Sequence, residues 1–143
     1  METKKFIAKV ETEVLSSAEK VWNALTDPKL IKEYMMGAMV ESNWEKGSDI
    51  TWRGEVNGTK YDDKGKILKY EPYKILSYSH FSSSSGLEDK PENYHTVIIE
   101  LDTEKSNTKV TLTQDKNNSE KSQKESEKNW SAMLSGLKNL VEK

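Results

Sequence analysis

Two histidines, His80 and His95, are the side chains in this sequence best suited to move a proton, because imidazole titrates near neutral pH. They fall in separate predicted strands. A metal site would need both imidazoles and a carboxylate at one point, since first-row metals in proteins take three or four nitrogen or oxygen ligands. We therefore expect no metal site and no cofactor. Each histidine is interpreted as a surface or cavity-rim side chain, with proton transfer by His80 as the alternative.

Other groups that could carry out catalysis are missing or isolated. The sequence contains no cysteine, which excludes disulfides, thiolate catalysis and cysteine metal sites. It contains no nucleophile elbow, phosphate-binding loop or dinucleotide-binding turn. Asp62 and Asp63 are adjacent, but neighbours in a strand face opposite sides, so they do not predict a catalytic pair. We expect a protein without catalytic residues, although a cyclase that uses one acid–base group in a shaped cavity stays open.

Large aromatic and methionine side chains form the second distinctive group. Such side chains make an adaptable wall around an apolar guest, and their hydroxyl and indole groups can orient its polar atoms. Core packing is the competing explanation for any single one of them. The candidates for a ligand-binding cavity are Trp22, Tyr34, Met35, Met39, Trp52, Tyr78, His80 and Trp130, and the wider set adds Met36 and Trp44.

Composition and charge narrow the choice of partners. The 143 residues include 22 basic and 24 acidic side chains, for a net charge of -2, and no concentrated basic block that would bind nucleic acid. No apolar run approaches the roughly 18 residues that cross a bilayer, and the start of the chain lacks the apolar segment of a signal peptide. We expect a cytoplasmic protein with one domain over residues 1–143, no membrane span and no nucleic-acid partner.

A strand and two short helices are predicted first among the elements that must position these side chains. Residues 5–14 alternate between apolar and polar, as in a half-buried strand. Ser16 stands three residues before Glu19, which predicts a capping box at the start of a helix. Asp27 followed by Pro28 predicts the start of a second short helix.

Successive strands are predicted for the middle of the chain. Alternation around residue 52 places Trp52 on the core face and Arg53 in solvent, and Asn57–Gly58 predicts a hairpin turn. Further strands are predicted at 60–71, 74–82, 94–103 and 108–115. The polar segment 82–91 predicts a mobile hairpin tip, with a lid over a cavity as the alternative.

The last part of the chain changes to a helical pattern. Its apolar residues recur at spacings of three and four from Trp130 to Val141, which predicts one stripe in which Trp130 is buried. The charged segment Glu120–Lys128 is expected to be a solvated face, with a position over a cavity mouth as the alternative.

Three segments carry a resemblance to a known family: SAEKVWNALTDP at 17–28, GKILKYEPYKIL at 65–76 and WSAMLSGLK at 130–138. Over nearly all of its length the chain resembles the START-like helix-grip superfamily, which has the fold of the birch-pollen allergen. Within it, the chain is most similar to the branch of the C-terminal domain of the heat-shock protein 90 ATPase activator.

The resemblance implies a fold and a set of functions. The fold is α+β: a curved antiparallel sheet of six to seven strands wraps on a long C-terminal helix, with two short helices after the first strand. The implied function is non-enzymatic binding of a small hydrophobic or amphipathic molecule in an internal cavity. The alternatives are an interaction domain for a chaperone ATPase and, third, a polyketide cyclase-like enzyme.

Overall fold

Strands and helices follow the predicted order in the computed structural model, which describes residues 6–35, 37–83, 86–117 and 119–143, without the side chain of Val56. The strands are β1 (Phe6–Val14), β2 (Met39–Ser42), β3 (Asp49–Val56), β4 (Thr59–Glu71), β5 (Ile75–His80), β6 (His95–Glu104) and β7 (Asn107–Asn117). The α-helices are α1 (Ala18–Thr26), α2 (Pro28–Tyr34) and α3 (Glu120–Glu142), and a short 3-10 turn covers Pro91–Asn93.

The strands form one antiparallel sheet in the order β1-β7-β6-β5-β4-β3-β2. Strands β2 to β7 are a meander, and β1 lies beside β7 at the far edge. The predicted hairpin between β3 and β4 is confirmed, because Asn57 and Gly58 both have positive φ, 52° and 81°, as a type I′ turn requires. With two short helices after β1 and a long C-terminal helix, this is the α+β helix-grip fold predicted from the sequence.

The two short helices begin at side-chain caps. Asp27 accepts a hydrogen bond from the backbone N–H of Lys29 at 2.9 Å, which confirms the predicted start of α2. The cap of α1 is Ser17, one residue later than Ser16, the cap predicted from the sequence. Ser16 belongs instead to the end of the sheet, where its carbonyl accepts a hydrogen bond from the buried Thr108 hydroxyl.

Helix α3 is held along the free edge of β1 by side chains that reach the strand's backbone. The pairs are Gln123 with the Ile7 carbonyl, Glu127 with the Lys9 N–H, Lys138 with the Glu13 carbonyl and Glu142 with the Leu15 N–H, at 2.7 to 3.0 Å. These bonds satisfy edge groups that would otherwise offer a pairing template to another strand. The charged first half of α3 is therefore only partly a solvated face.

The middle of α3 packs into the core. Leu134 and Leu137 are fully buried in the main apolar cluster. Gly136 lies where α3 passes α2, and a Cβ there would stand 3.0 Å from the Cβ of Tyr34, so the glycine permits the close approach. No helix among the described residues is both long and apolar enough to cross a membrane.

Candidate functional site

A cavity of about 880 Å³ lies between the sheet, α2 and the first half of α3. Its walls come from β3, β4 and β5, from the end of α2 and from α3 between Asn129 and Met133. The lining residues are Tyr34, Met35, Ala38, Trp52, Thr59, Tyr61, Asp63, Tyr78, His80, Asn129, Trp130, Ala132 and Met133.

Most of the side chains proposed from the sequence as a cavity lining meet in this one space. Those that line it are Tyr34, Met35, Trp52, Tyr78, His80 and Trp130. Asp63, Tyr61 and Asn129 also line the cavity but were not predicted from the sequence as lining residues. Strand alternation outward from the Asn57–Gly58 turn is the signal that could have identified the first two. Met36, from the wider set, lies outside the described residues.

Two predicted residues, Trp22 and Met39, lie elsewhere. Trp22 is buried at the other end of the sheet, where its ring stands edge-on to Tyr70 with the centroids 5.3 Å apart. Met39 is 64% exposed, because β2 alternates and turns Val40 inward in its place. Both corrections follow from which side of its element each residue occupies.

Trp130 is half-buried at the cavity wall, whereas the helical pattern predicted that it is buried in the apolar stripe. The fully buried positions of the stripe are Leu134 and Leu137, one and two turns further along α3. The indole N–H of Trp130 donates to the side-chain carbonyl of Gln114 on β7, which fixes the ring orientation.

A carboxylate and an imidazole form the polar end of the cavity. Asp63 on β4 and His80 on β5 are joined by a hydrogen bond of 3.0 Å between Oδ2 and Nε2. The other carboxylate oxygen of Asp63 accepts from the backbone N–H and the hydroxyl of Ser83, at 2.9 and 3.1 Å. His80 therefore has an orienting partner, which the sequence analysis did not identify.

Close approach of two strands near Gly65 brings this pair together. A Cβ at Gly65 would stand 1.7 Å from the carbonyl oxygen of Ser79, so only glycine fits between β4 and β5. Beyond it, Lys64 pairs with Phe81 in an isolated bridge, which sets Asp63 diagonally across from His80.

Asp63 is the charged group of the cavity at neutral pH. Burial raises the pKa of its carboxyl, but the hydrogen bonds from His80 and Ser83 and the attraction to His80 outweigh burial, and the pKa lies below its ordinary value of 3.8. Among the described lining residues there is no lysine or arginine. Arg53 points outward, as predicted, and faces Asp62 at 3.6 Å.

Aromatic rings form the wall beside the pair. The Trp52 ring contacts Tyr78 and His80, with centroid distances of 5.1 and 4.9 Å. Burial raises the pKa of Tyr78, so its hydroxyl stays protonated. That hydroxyl makes no hydrogen bond to any described residue. Because every fully buried side-chain oxygen among the described residues has a partner, this hydroxyl is not fully buried, and it is accessible from the cavity. The Tyr34 hydroxyl is already used, since it donates to the Ala24 carbonyl at 2.6 Å.

His95 lies directly opposite His80 in the β5–β6 register but has a different partner. Its Nδ1 is 2.8 Å from the carbonyl of Asp115 on β7, and it does not line the cavity. Within the described part of the chain, no cluster of three or more His, Asp or Glu side chains could hold a metal ion.

The polar segment 82–91 is attached to β4 through its described residues. Ser83 binds Asp63, and Asp89 accepts from the Tyr94 hydroxyl at 2.6 Å and pairs with Lys64. Residues 84 and 85 lie outside the described residues. A lid role for this segment stays a prediction.

Solved structures of other proteins share this fold. ChR145 from Cytophaga hutchinsonii is 52% identical, with a TM-score of 0.87 over 99% of this chain and 97% of that one. MLL2253 from Mesorhizobium loti is 22% identical, with a TM-score of 0.76 over 94% and 96% of the two chains. CalU16 from Micromonospora echinospora is 20% identical, with a TM-score of 0.72 over 99% and 87%. The last two show similarity of fold alone.

Sequence comparison identifies the family. No curated protein sequence matches the chain. Residues 16–142, which include all three α-helices and every strand after β1, match the sequence pattern of one family. The chain belongs to the family described as Activator of Hsp90 ATPase homolog 1-like protein.

Proposed function

We propose that the protein binds a small apolar or amphipathic molecule in the cavity without forming a covalent bond to it. The observation that carries the proposal is the cavity of about 880 Å³ with aromatic and methionine walls and a few polar groups at one end. Pockets that hold small molecules have this size and this composition. Neither a serine nor a lysine is among the described lining residues, which favours binding over acyl transfer or Schiff-base chemistry.

The walls are held in place by contacts behind them, which supports a preformed site. The Tyr34 hydroxyl is tied to α1 through Ala24, and the Trp130 indole is tied to β7 through Gln114. Rings fixed in this way cannot turn inward to fill the space without losing a hydrogen bond. A ligand therefore enters without a large cost of ordering the wall.

Filling the cavity tests this proposal. Ala132 and its neighbour Ser131 are both exposed on α3, but only Ala132 lines the cavity. We expect wild type to bind Nile red, an uncharged dye that fluoresces in apolar surroundings, with saturation. Ala132→Trp should weaken that binding by about tenfold or more, and Ser131→Trp, the matched control, should leave it unchanged. Far-UV circular dichroism checks that both variants are folded.

Two results would contradict the proposal. One is a wild-type titration that shows no saturable dye fluorescence. The other is equal dye affinity in the Ala132→Trp and Ser131→Trp variants, which would place the dye elsewhere on the protein.

Membership of the family favours a second candidate, an interaction with a chaperone ATPase of the heat-shock protein 90 type. Under this candidate the protein raises the rate of ATP hydrolysis by the purified chaperone. The surface, and not the cavity, would then carry the activity, so Ala132→Trp would stimulate as well as wild type does. An unchanged ATPase rate at saturating protein would exclude this candidate.

A further inference from the structure

The hydrogen bond to Asp63 determines which nitrogen of His80 can serve a ligand. An ionised carboxylate only accepts hydrogen bonds, so a neutral His80 must carry its proton on Nε2, the nitrogen 3.0 Å from Asp63 Oδ2. The other ring nitrogen, Nδ1, then has a free lone pair and no proton. The polar end of the cavity thus offers a hydrogen-bond acceptor on His80.

Asp63 itself is not available to a ligand in the same way. Oδ1 already accepts two hydrogen bonds from Ser83, and Oδ2 accepts one from His80, so three of about four acceptor positions of the carboxylate are used. Its negative charge nonetheless remains in the cavity, with no lysine or arginine among the described lining residues to balance it. Two cations on the strands that hold the cavity wall are paired with other carboxylates, Lys64 with Asp89 and Arg53 with Asp62. A carboxylate ligand would meet this uncompensated charge, which disfavours fatty-acid-like compounds.

Tyr78 supplies a hydrogen-bond donor on the same face of β5 as the His80 acceptor. The two residues are separated by one position on β5, so their side chains share a face and their Cα atoms lie about 7 Å apart. Both rings contact the ring of Trp52. Tyr78 is a buried residue, but its hydroxyl has no partner among the described residues and is accessible from the cavity. The cavity wall therefore carries a hydrogen-bond donor on Tyr78 as well as an acceptor on His80.

We infer that the ligand of this cavity is an uncharged amphipathic molecule whose polar end is a hydroxyl group that donates a hydrogen bond to Nδ1 of His80. The inference rests on the proposed function, since it assigns a chemical class to the ligand of that same site. His80 acts here as a binding residue, and Asp63 is a positioning residue that fixes its tautomer and ring orientation.

Three matched probes test this inference: naphthol, methoxynaphthalene and naphthoate. Methoxynaphthalene has the same ring system and can accept from Tyr78 but cannot donate, so its binding reports on the cavity alone. We expect naphthol to bind wild type about tenfold more tightly than methoxynaphthalene, the effect of one hydrogen bond to a buried acceptor. Naphthoate should bind more weakly than either neutral compound.

Replacement of the acceptor should remove the preference. In His80→Phe, which keeps an aromatic ring beside Trp52, the affinities for naphthol and methoxynaphthalene should agree within about twofold. His95→Phe is the matched control, because it removes the other histidine, which lies outside the cavity lining, and should keep the wild-type preference. Retention of the preference in His80→Phe would overturn the inference, and so would equal affinities in wild type.

A measurement on wild type alone covers the case in which His80→Phe does not fold. The ¹⁵N resonance of His80 Nδ1 should move on addition of naphthol and stay in place with methoxynaphthalene. An Nδ1 resonance that naphthol leaves unmoved would overturn the inference. Tighter binding of naphthoate than of naphthol would overturn it as well, in favour of an anionic ligand. Failure of methoxynaphthalene and Nile red to bind would instead count against the proposed function.

Discussion

The interior of the sheet differs between its two ends, although both ends carry the same kinds of side chains. At the cavity end, β4 begins and places Asp63 in the cavity wall. At the other end, which we call the closed end, β4 finishes beside Trp22, which is 3% exposed and packed edge-on against Tyr70. At the cavity end, Trp52 and Trp130 each have one side that faces open volume. Residue type therefore does not separate a core aromatic from a cavity aromatic. What separates them is whether a second ring or an apolar side chain occupies the space opposite.

The largest expected effect compares a tryptophan from each end. Trp22→Ala should lower the free energy of unfolding by about 4 kcal/mol, because it removes a buried ring and leaves a void. Trp130→Ala should lower the free energy of unfolding by only about 2 kcal/mol, since Trp130 is half-buried and less of its apolar surface is removed from water. Urea denaturation followed by circular dichroism measures both. Equal losses would show that the cavity end is as tightly packed as the closed end.

A smaller loss of stability is expected at Gly65, where the close approach of β4 and β5 brings Asp63 and His80 together. Gly65→Ala should destabilise the protein by about 3 kcal/mol, because its Cβ would stand 1.7 Å from the Ser79 carbonyl and the strands must separate. Lys66→Ala, at the next and exposed position, is the control and should cost little. The same Gly65 variant should lose the naphthol preference, because the separation moves Asp63 away from His80. A stable Gly65→Ala variant with that preference intact would contradict this account of the site.

The charge of Asp63 makes a pH-dependent contribution to stability at the cavity end. Its folded pKa lies below the ordinary value of 3.8, so the carboxylate stabilises the folded state above that pH and the contribution is lost as pH falls below it. Asp63→Asn should cost about 1 kcal/mol at pH 7, and the difference from wild type should shrink as the pH falls below about 4. His80 and Tyr61 are the titratable groups that act on Asp63 or lie beside it. Urea midpoints at several pH values measure this, and a pH-independent difference would contradict it.

Local sequence signals were sufficient for most of the fold. Asp27–Pro28 and Asn57–Gly58 each specify a helix start or a turn within two residues, because caps and hairpin turns depend on nearby backbone groups. Alternation along β3 likewise placed Trp52 inside and Arg53 outside. In the four residues of β2 the alternation is too short to show which residues face inward, so the sequence did not reveal that Met39, proposed as a cavity residue, points outward.

The site depended on relations that local patterns do not contain. The Asp63–His80 pair needs the pairing of β4 with β5 across 17 positions and the close approach at Gly65. Whether Trp22 lines the cavity depends on which end of the sheet α1 covers. The helical spacing of the apolar residues in α1 is the same for both ends, so it does not distinguish them. Sequence reasoning thus identified a class of cavity side chains but could not supply the partner that orients the imidazole.

The smallest expected change in stability lies at Gly136, where α3 crosses from the closed end to the cavity wall. In Gly136→Ala a helix-propensity gain of about 1 kcal/mol opposes a tight contact of 3.0 Å with the Cβ of Tyr34, so the free energy of unfolding should change by less than about 1 kcal/mol. Ser135→Ala, an exposed neighbour on the same helix, measures the propensity effect without that contact. Because Tyr34 lines the cavity, relief of the contact must move the wall, and Nile red affinity should fall in Gly136→Ala and not in Ser135→Ala. Unchanged dye affinity together with unchanged stability would contradict this expectation. It would mean that α2 shifts without altering the cavity, and that α3 couples the two ends of the sheet less firmly than their packing indicates.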